Sequence, residues 1–198
     1  MKILVYFVFL ILIVSCTKKE ADPLVTELPF FFIANINGQN LGFGAASSLG
    51  PTFDNEAYSE VIQLSSDSFH VYEGTRVFDV LNAPSASARV SIMRIFNHLP
   101  TAAERAAIVD TGYYRYALSD SLGRGGAVVH FTDGNGRQWS TENHRQTDTT
   151  FRIESLNAFP GEASRPVMQA TFRCRLFSTT GDSMNLETGS VRGKILKP

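Results

Sequence analysis

The chain has 198 residues, 43% hydrophobic and 19% charged, a composition that suits a packed globular core and argues against disorder. Its 18 basic and 19 acidic residues leave a net charge of −1, without the basic excess that nucleic-acid binding needs. Phe is abundant at 15, Trp occurs once, and Thr, Ser and Val are spread through the chain, while helix-type periods are scarce.

The first 16 residues are MKILVYFVFLILIVSC. Lys2 supplies a positive start, residues 3–14 form an apolar run, and Ile13-Val14-Ser15-Cys16 closes it. The run is shorter than the ~20 residues a membrane-spanning helix needs. A short apolar region ending at a small residue reads instead as a cleaved signal. The order of basic start, apolar core, small residue and cysteine resembles the signal peptide and lipobox of a bacterial lipoprotein. That resemblance implies removal of residues 1–15 and attachment of lipid to the Cys16 sulfur. Each acyl methylene contributes ~0.8 kcal/mol, and one chain alone binds only marginally. Two or three chains would hold the protein on a membrane.

Residues 16–28 are polar, contain one proline and read as a tether. Cys16-Thr-Lys-Lys-Glu20 resembles the start of mature Bacteroidota lipoproteins, which implies an outer-membrane location. Lys18 and Lys19 are mixed with Glu20 and Asp22, so the periplasmic and cell-surface sides both stay open.

Residues 29–198 read as one domain. Phe30, Phe32, Ala34 and Ile36 alternate along a first strand, and Asn37-Gly38 is a turn signal because both tolerate φ > 0. Residues 42–55, rich in Gly, Ser and Ala, read as a long loop. Strands are expected at 61–64, 76–81 and 89–96. Thr101 and Glu104 form a capping box ahead of a short helix to about Val109. Residues 112–118 read as a strand with Tyr114, Tyr116 and Leu118 on one face and Tyr113 on the other. Ala127, Val129 and Phe131 alternate up to the Asp133–Gly136 turn, and residues 137–141 return as a hairpin. Phe151 and Ile153 alternate with Arg152 and Glu154. Residues 157–166 read as a loop, 167–177 as a strand with Cys174 facing inward, and 189–196 as the last strand.

Short alternating strands with polar turns predict an all-β fold, an antiparallel β-sandwich with one short helix. A barrel would need every edge closed, and the irregular middle shows no even meander. The whole pattern resembles a broad group of small β-rich Bacteroidota lipoproteins. It is carried by Phe30-x-Phe32-x-Ala34-x-Ile36-Asn-Gly38, Gly112-x-Tyr114-x-Tyr116-x-Leu118, Asp133-Gly-Asn-Gly-x-x-Trp139-Ser-Thr141 and Gly189-Ser-Val-Arg-Gly-Lys-Ile195. The likeness implies fold and location and no catalytic residue.

Chemical motifs are sparse. His70, His98, His130 and His144 lack the spacing of a zinc helix, although His130 and His144 could face each other across the hairpin with Asp133 nearby. Asp133-Gly-Asn135-Gly resembles the opening of a calcium loop but lacks the later acidic ligands, and a hairpin turn accounts for it. There is no Gly-x-Ser-x-Gly elbow. No cofactor and no metal are expected. Trp139 and Tyr113 are the candidate ligand-binding residues, because exposed aromatics on a sheet stack on sugar rings or on a partner. The alternative for Trp139 is a buried indole closing the core under the hairpin. The expected function is a lipid-anchored, non-catalytic binding or structural module for a glycan or an envelope protein. The alternative is a hydrolase of envelope or other polysaccharide that works through a pair of carboxylates.

Overall fold

The computed structural model describes residues 30–43, 53–79, 86–118, 125–142, 144–147, 149–159 and 162–196. The signal segment, Cys16 and the tether lie outside them. The strands are β1 (Phe31–Ile36), β2 (Gln39–Phe43), β3 (Phe53–Ser65), β4 (Ser68–Asp79) and β5 (Ser87–Phe96). Helix α1 (Ala102–Ala106) precedes β6 (Gly112–Tyr113), β7 (Gly126–Thr132), β8 (Gln138–Ser140), β9 (Thr150–Phe159), β10 (Glu162–Ser178) and β11 (Ser183–Lys194). Among the described residues the fold is therefore all-β with one short helix, as the sequence predicts.

The eleven strands of the described residues belong to one antiparallel sheet in the order β2-β1-β11-β10-β8-β7-β5-β4-β3, with β9 beside the first part of β10 and β6 beside β9. The sheet folds over, so that β11 and β2 come to lie against β4, and β11 also against β3. Layers that could have been separate sheets are thus parts of one. Asn55 of β3 fastens this seam. Its Oδ1 accepts from the Lys194 backbone N–H at 2.7 Å, and its Nδ2 donates to Thr75 Oγ1 at 2.6 Å and to the Arg76 carbonyl at 2.8 Å. Gly193 permits the crossing, since a Cβ there would collide with Thr75 Oγ1.

The folded sheet wraps one main core. An aromatic chain runs through it from Phe32 to Phe172 (centroids 5.9 Å apart), Phe151 (5.8 Å) and Tyr114 (6.2 Å). Such pairs contribute about 0.5–1.5 kcal/mol each beyond their area burial. Cys174 faces inward as the alternation predicts and is 3% exposed. Burial pushes its thiol up to about 12, so the reactive thiolate is absent near neutral pH.

Turn chemistry sets the register where the sequence says it should. Asn37 and Gly38 both have positive φ, 49° and 80°, and pair Ile36 with Gln39 across a two-residue hairpin. Thr101 and Glu104 make both halves of the capping box, and the helix ends at Ala106, three residues before the expected end. Ile108 and Val109 then leave the helix and enter the core.

Several boundaries differ from expectation. The expected loop at 42–55 gives way to β2 at its start and β3 at its end. The strands expected at 61–64 and 76–81 are pieces of a long β3–β4 hairpin that pairs from Phe53↔Asp79 to Ser65↔Ser68. The expected strand at 112–118 pairs as a strand at Gly112 and Tyr113, then continues as isolated bridges, the parallel Tyr116↔Ala127 and one at Leu118. The expected loop at 157–166 is largely strand, with Asn157↔Val167 and Phe159↔Glu162 paired across a bulge. A bulge takes up extra residues without ending a ladder, which is how the stretch before Val167 stays in the sheet.

Candidate functional site

Strand β5 pairs with β7 as far as Met93↔Gly126, and among the described residues its last three, Arg94 to Phe96, have no strand partner on that side. The chain leaves β5 through α1, inserts Ile108 and Val109, and returns across this gap. The returning segment is held on both sides. The Tyr114 N–H donates to the Phe151 carbonyl at 3.0 Å, and Ala117 and Ala127 bond back and forth at 2.9 and 2.8 Å through the Ala127 and Arg115 carbonyls. Between this strap and the end of β5 lies an open cavity of about 630 Å³, lined by Met93, Arg94, Ile108, Asp110, Tyr113 and Arg115 among others. A smaller hollow of about 240 Å³ shares Tyr114 and Arg115 with it and adds Arg145 and Gln146.

The three tyrosines divide as the alternation predicts. Tyr116 is buried, and its hydroxyl bonds the carbonyls of Thr150 and Arg173 at 3.1 and 3.0 Å. Tyr114 is half-buried. Its hydroxyl donates to the Asp110 carbonyl and accepts from the Asp110 N–H, both at 2.9 Å, which closes the turn before β6. Burial pushes its phenol above the usual tyrosine value. Tyr113 points the other way and is 76% exposed at the lip of the cavity. The Arg152 guanidinium stands 5.1 Å from its ring centroid and is itself held by Glu154 at 3.3 Å.

Trp139 is placed differently. It is 7% exposed and belongs to the main core, opposite Phe131 across the β7–β8 pair. Its indole N–H donates to Asp133 Oδ2 at 3.2 Å, and the Arg137 guanidinium lies 4.4 Å from its ring centroid. Asp133 Oδ1 accepts from the N–H groups of Asn135 and Arg137 at 2.9 and 3.0 Å, so one carboxylate forms the turn and anchors the indole. Trp139 therefore closes the core, and its expectation as an exposed stacking residue is corrected. Of the two candidate aromatics, only Tyr113 offers an open ring face.

The histidines do not converge. His144 packs against Phe177 at 4.4 Å, while His130 Nε2 lies 2.8 Å from Glu142 Oε2. Tyr72 donates to the other Glu142 oxygen at 2.9 Å. This network floors the outer face of β4, β5 and β7, beside a groove of about 290 Å³ where Arg89 donates to the Tyr58 hydroxyl at 2.7 Å. His98 pairs with Glu104 at 3.0 Å, and no cluster of three metal-ligating side chains occurs among the described residues. The arginines around the tyrosine cavity escaped sequence reading, since they come from separate segments. The adjacent exposed pair Tyr113 and Arg115 was the one local signal.

Glu142 gives the outer network a pH dependence. Burial pushes its carboxyl up, but the hydrogen bond and charge of His130, the Tyr72 hydroxyl and the Arg89 charge outweigh burial and leave it below its ordinary value. A carboxyl lowered by folding stabilises the fold above its unfolded pKa of ~4.3, and that contribution is lost as pH falls through the folded value. Glu142→Gln should therefore be less stable than the parent at neutral pH, with the gap closing in acid. Urea melts across that range check it, and a gap that stays constant with pH would refute it.

No protein-family model, curated protein or solved structure matches this chain.

Proposed function

We propose that this protein is an outer-membrane lipoprotein, anchored through lipid on Cys16, whose β domain binds carbohydrate non-catalytically at the Tyr113 cavity. The observation that carries the reading is Tyr113 itself. A tyrosine 76% exposed, braced by Arg152 and set on the lip of a 630 Å³ cavity, stabilises nothing evident in the core. An aromatic face beside an open cavity with convergent polar groups is the usual form of a small-ligand site, which spans roughly 300–1,000 Å³. Pyranose rings present an apolar C–H face that such a ring can cover.

The same cavities weigh against the hydrolase alternative. Two-carboxylate glycoside hydrolysis needs paired acids about 5–10 Å apart across the scissile bond. Among the described residues the tyrosine cavity carries Asp110 as its only lining carboxylate, and none of the four other cavities described carries more than one.

Two measurements test the two halves of the reading. Tyr113→Ala should leave the melting temperature within about 1 °C, as a substitution at an exposed site does, while glycan-array binding falls by roughly tenfold or more. Unchanged binding would remove Tyr113 from the site. Separately, Cys16→Ala should move the protein out of the membrane fraction and abolish acyl labelling. Continued membrane attachment with unchanged mass would rule out the lipid anchor.

A further inference from the structure

Arg76, Arg89, Arg105, Arg137 and Arg152 each stand within ion-pair distance of a carboxylate: Glu56, Glu60, Glu73, Asp182 and Glu154 in turn. Of the exposed arginines without an ion pair among the described residues, Arg173 and Arg175 line other hollows, while Arg94, Arg115 and Arg145 form one set. These three all line the tyrosine cavity or the hollow joined to it, with Arg115 at the junction of both.

We propose that the cavity selects acidic sugars, with Arg94, Arg115 and Arg145 receiving the oxyanion while Tyr113 covers the ring. This rests on the carbohydrate reading above and narrows it to a charge class.

The chemistry follows from what each group has left to offer. Arg115 uses its Nε–H on the Gly125 carbonyl at 3.3 Å, which fixes the side chain and leaves its terminal N–H groups free to donate. A guanidinium presents paired donors in a plane, matching two oxygens of a carboxylate or sulfate. Among the described residues Asp110 is the one opposing charge on the cavity wall, and its Oδ1 is already engaged by the Thr111 N–H at 2.7 Å. Three cations against one anion leave the site positive in a protein whose net charge is −1. A concave site of one sign concentrates ligands of the other. The aromatic lip and the cations sit side by side, which suits a pyranose bearing an acid group better than a free inorganic anion.

The test uses three probes on the purified protein by calorimetry: oligogalacturonate, its fully methyl-esterified form with the same rings and no charge, and a sulfated galactan oligosaccharide. Oligogalacturonate should bind at least roughly tenfold more tightly than the ester. That advantage should shrink as salt rises from roughly 50 to 300 mM, because exposed charges are screened. Arg115→Gln should bring the acid down to the level of the ester and leave the ester unchanged. Tyr113→Ala should weaken both. Sulfated galactan equal to the acid assigns the site to oxyanions in general, and a weaker response assigns it to the planar carboxylate. Equal binding of acid and ester, still dependent on Tyr113, would overturn the charge selection and leave the carbohydrate reading standing. Absence of binding by all three probes would overturn both.

Discussion

Trp139→Ala should lower stability by about 3–5 kcal/mol, the range for truncating a large aromatic in a packed core. In a domain of this size each kcal/mol shifts the melting temperature by roughly 2–4 °C, so a fall of roughly 6–20 °C is expected. Three losses combine. The indole leaves a cavity opposite Phe131, in a core built from both halves of the folded sheet. Asp133 Oδ2 loses the indole donor at 3.2 Å. Arg137 loses the ring beneath it, although its ion pair with Asp182 on the neighbouring turn keeps it in place. Trp139→Phe separates the first loss from the second, since it keeps most of the volume and none of the N–H. It should cost about 1 kcal/mol for the missing hydrogen bond plus a residual packing deficit. Urea denaturation of the three proteins gives the comparison. An alanine variant within about 0.5 kcal/mol of the parent would show the indole to be a surface group.

What the sequence revealed of this fold follows from how each strand is covered. Strand β9 shows one face to the core and one to water, so Phe151 and Ile153 against Arg152 and Glu154 spell the alternation directly. The same holds for β10 around Cys174. Strand β4 is different. From His70 to Thr75 every residue is buried, because the core lies under one face and the Tyr72–Glu142 network with Met93 and Val128 lies over the other. A strand covered on both faces has no period of two to read, so residues 69–75 look like a gap. Turns were legible wherever a backbone need selected the residue, as at Asn37-Gly38.

The candidate site was legible in one residue of four. Tyr113 declared itself by facing away from Tyr114 and Tyr116. Arg94 and Arg145 gave no sign, and Arg115 only its place two residues from Tyr113, because their meeting at one cavity depends on how β5, the strap and the segment after β8 come together. Trp139 sent the opposite signal, standing beside a hairpin turn of a kind that meets solvent. Its burial is decided by the folding over of the sheet, which no local pattern encodes.

The second large effect concerns helix α1. Glu73 sits on the core side of β4 with its side chain 1% exposed. Its Oε1 receives the Arg105 Nε–H at 2.8 Å and the Ser59 hydroxyl at 2.9 Å, and Oε2 has no partner. Arg105 comes from the last turn of α1 and also bonds Ser59, so the capped helix lowers one cation onto one buried anion. Removing either partner of such a pair leaves the other's charge uncompensated, which costs about 3–5 kcal/mol when that charge cannot reach water. The two partners differ in that respect, because the Arg105 side chain is 27% exposed. Arg105→Met strands the carboxylate in the core and should fall in that range. Glu73→Gln keeps a hydrogen-bond acceptor and leaves a cation that can turn outward, so it should cost about 1–2 kcal/mol. The double variant should recover much of the loss seen in Arg105→Met, since no buried charge then remains. Denaturant midpoints for the three proteins decide the matter. Equal losses from the two single variants, with no recovery in the double, would mean that α1 contributes packing alone and that the ion pair adds nothing.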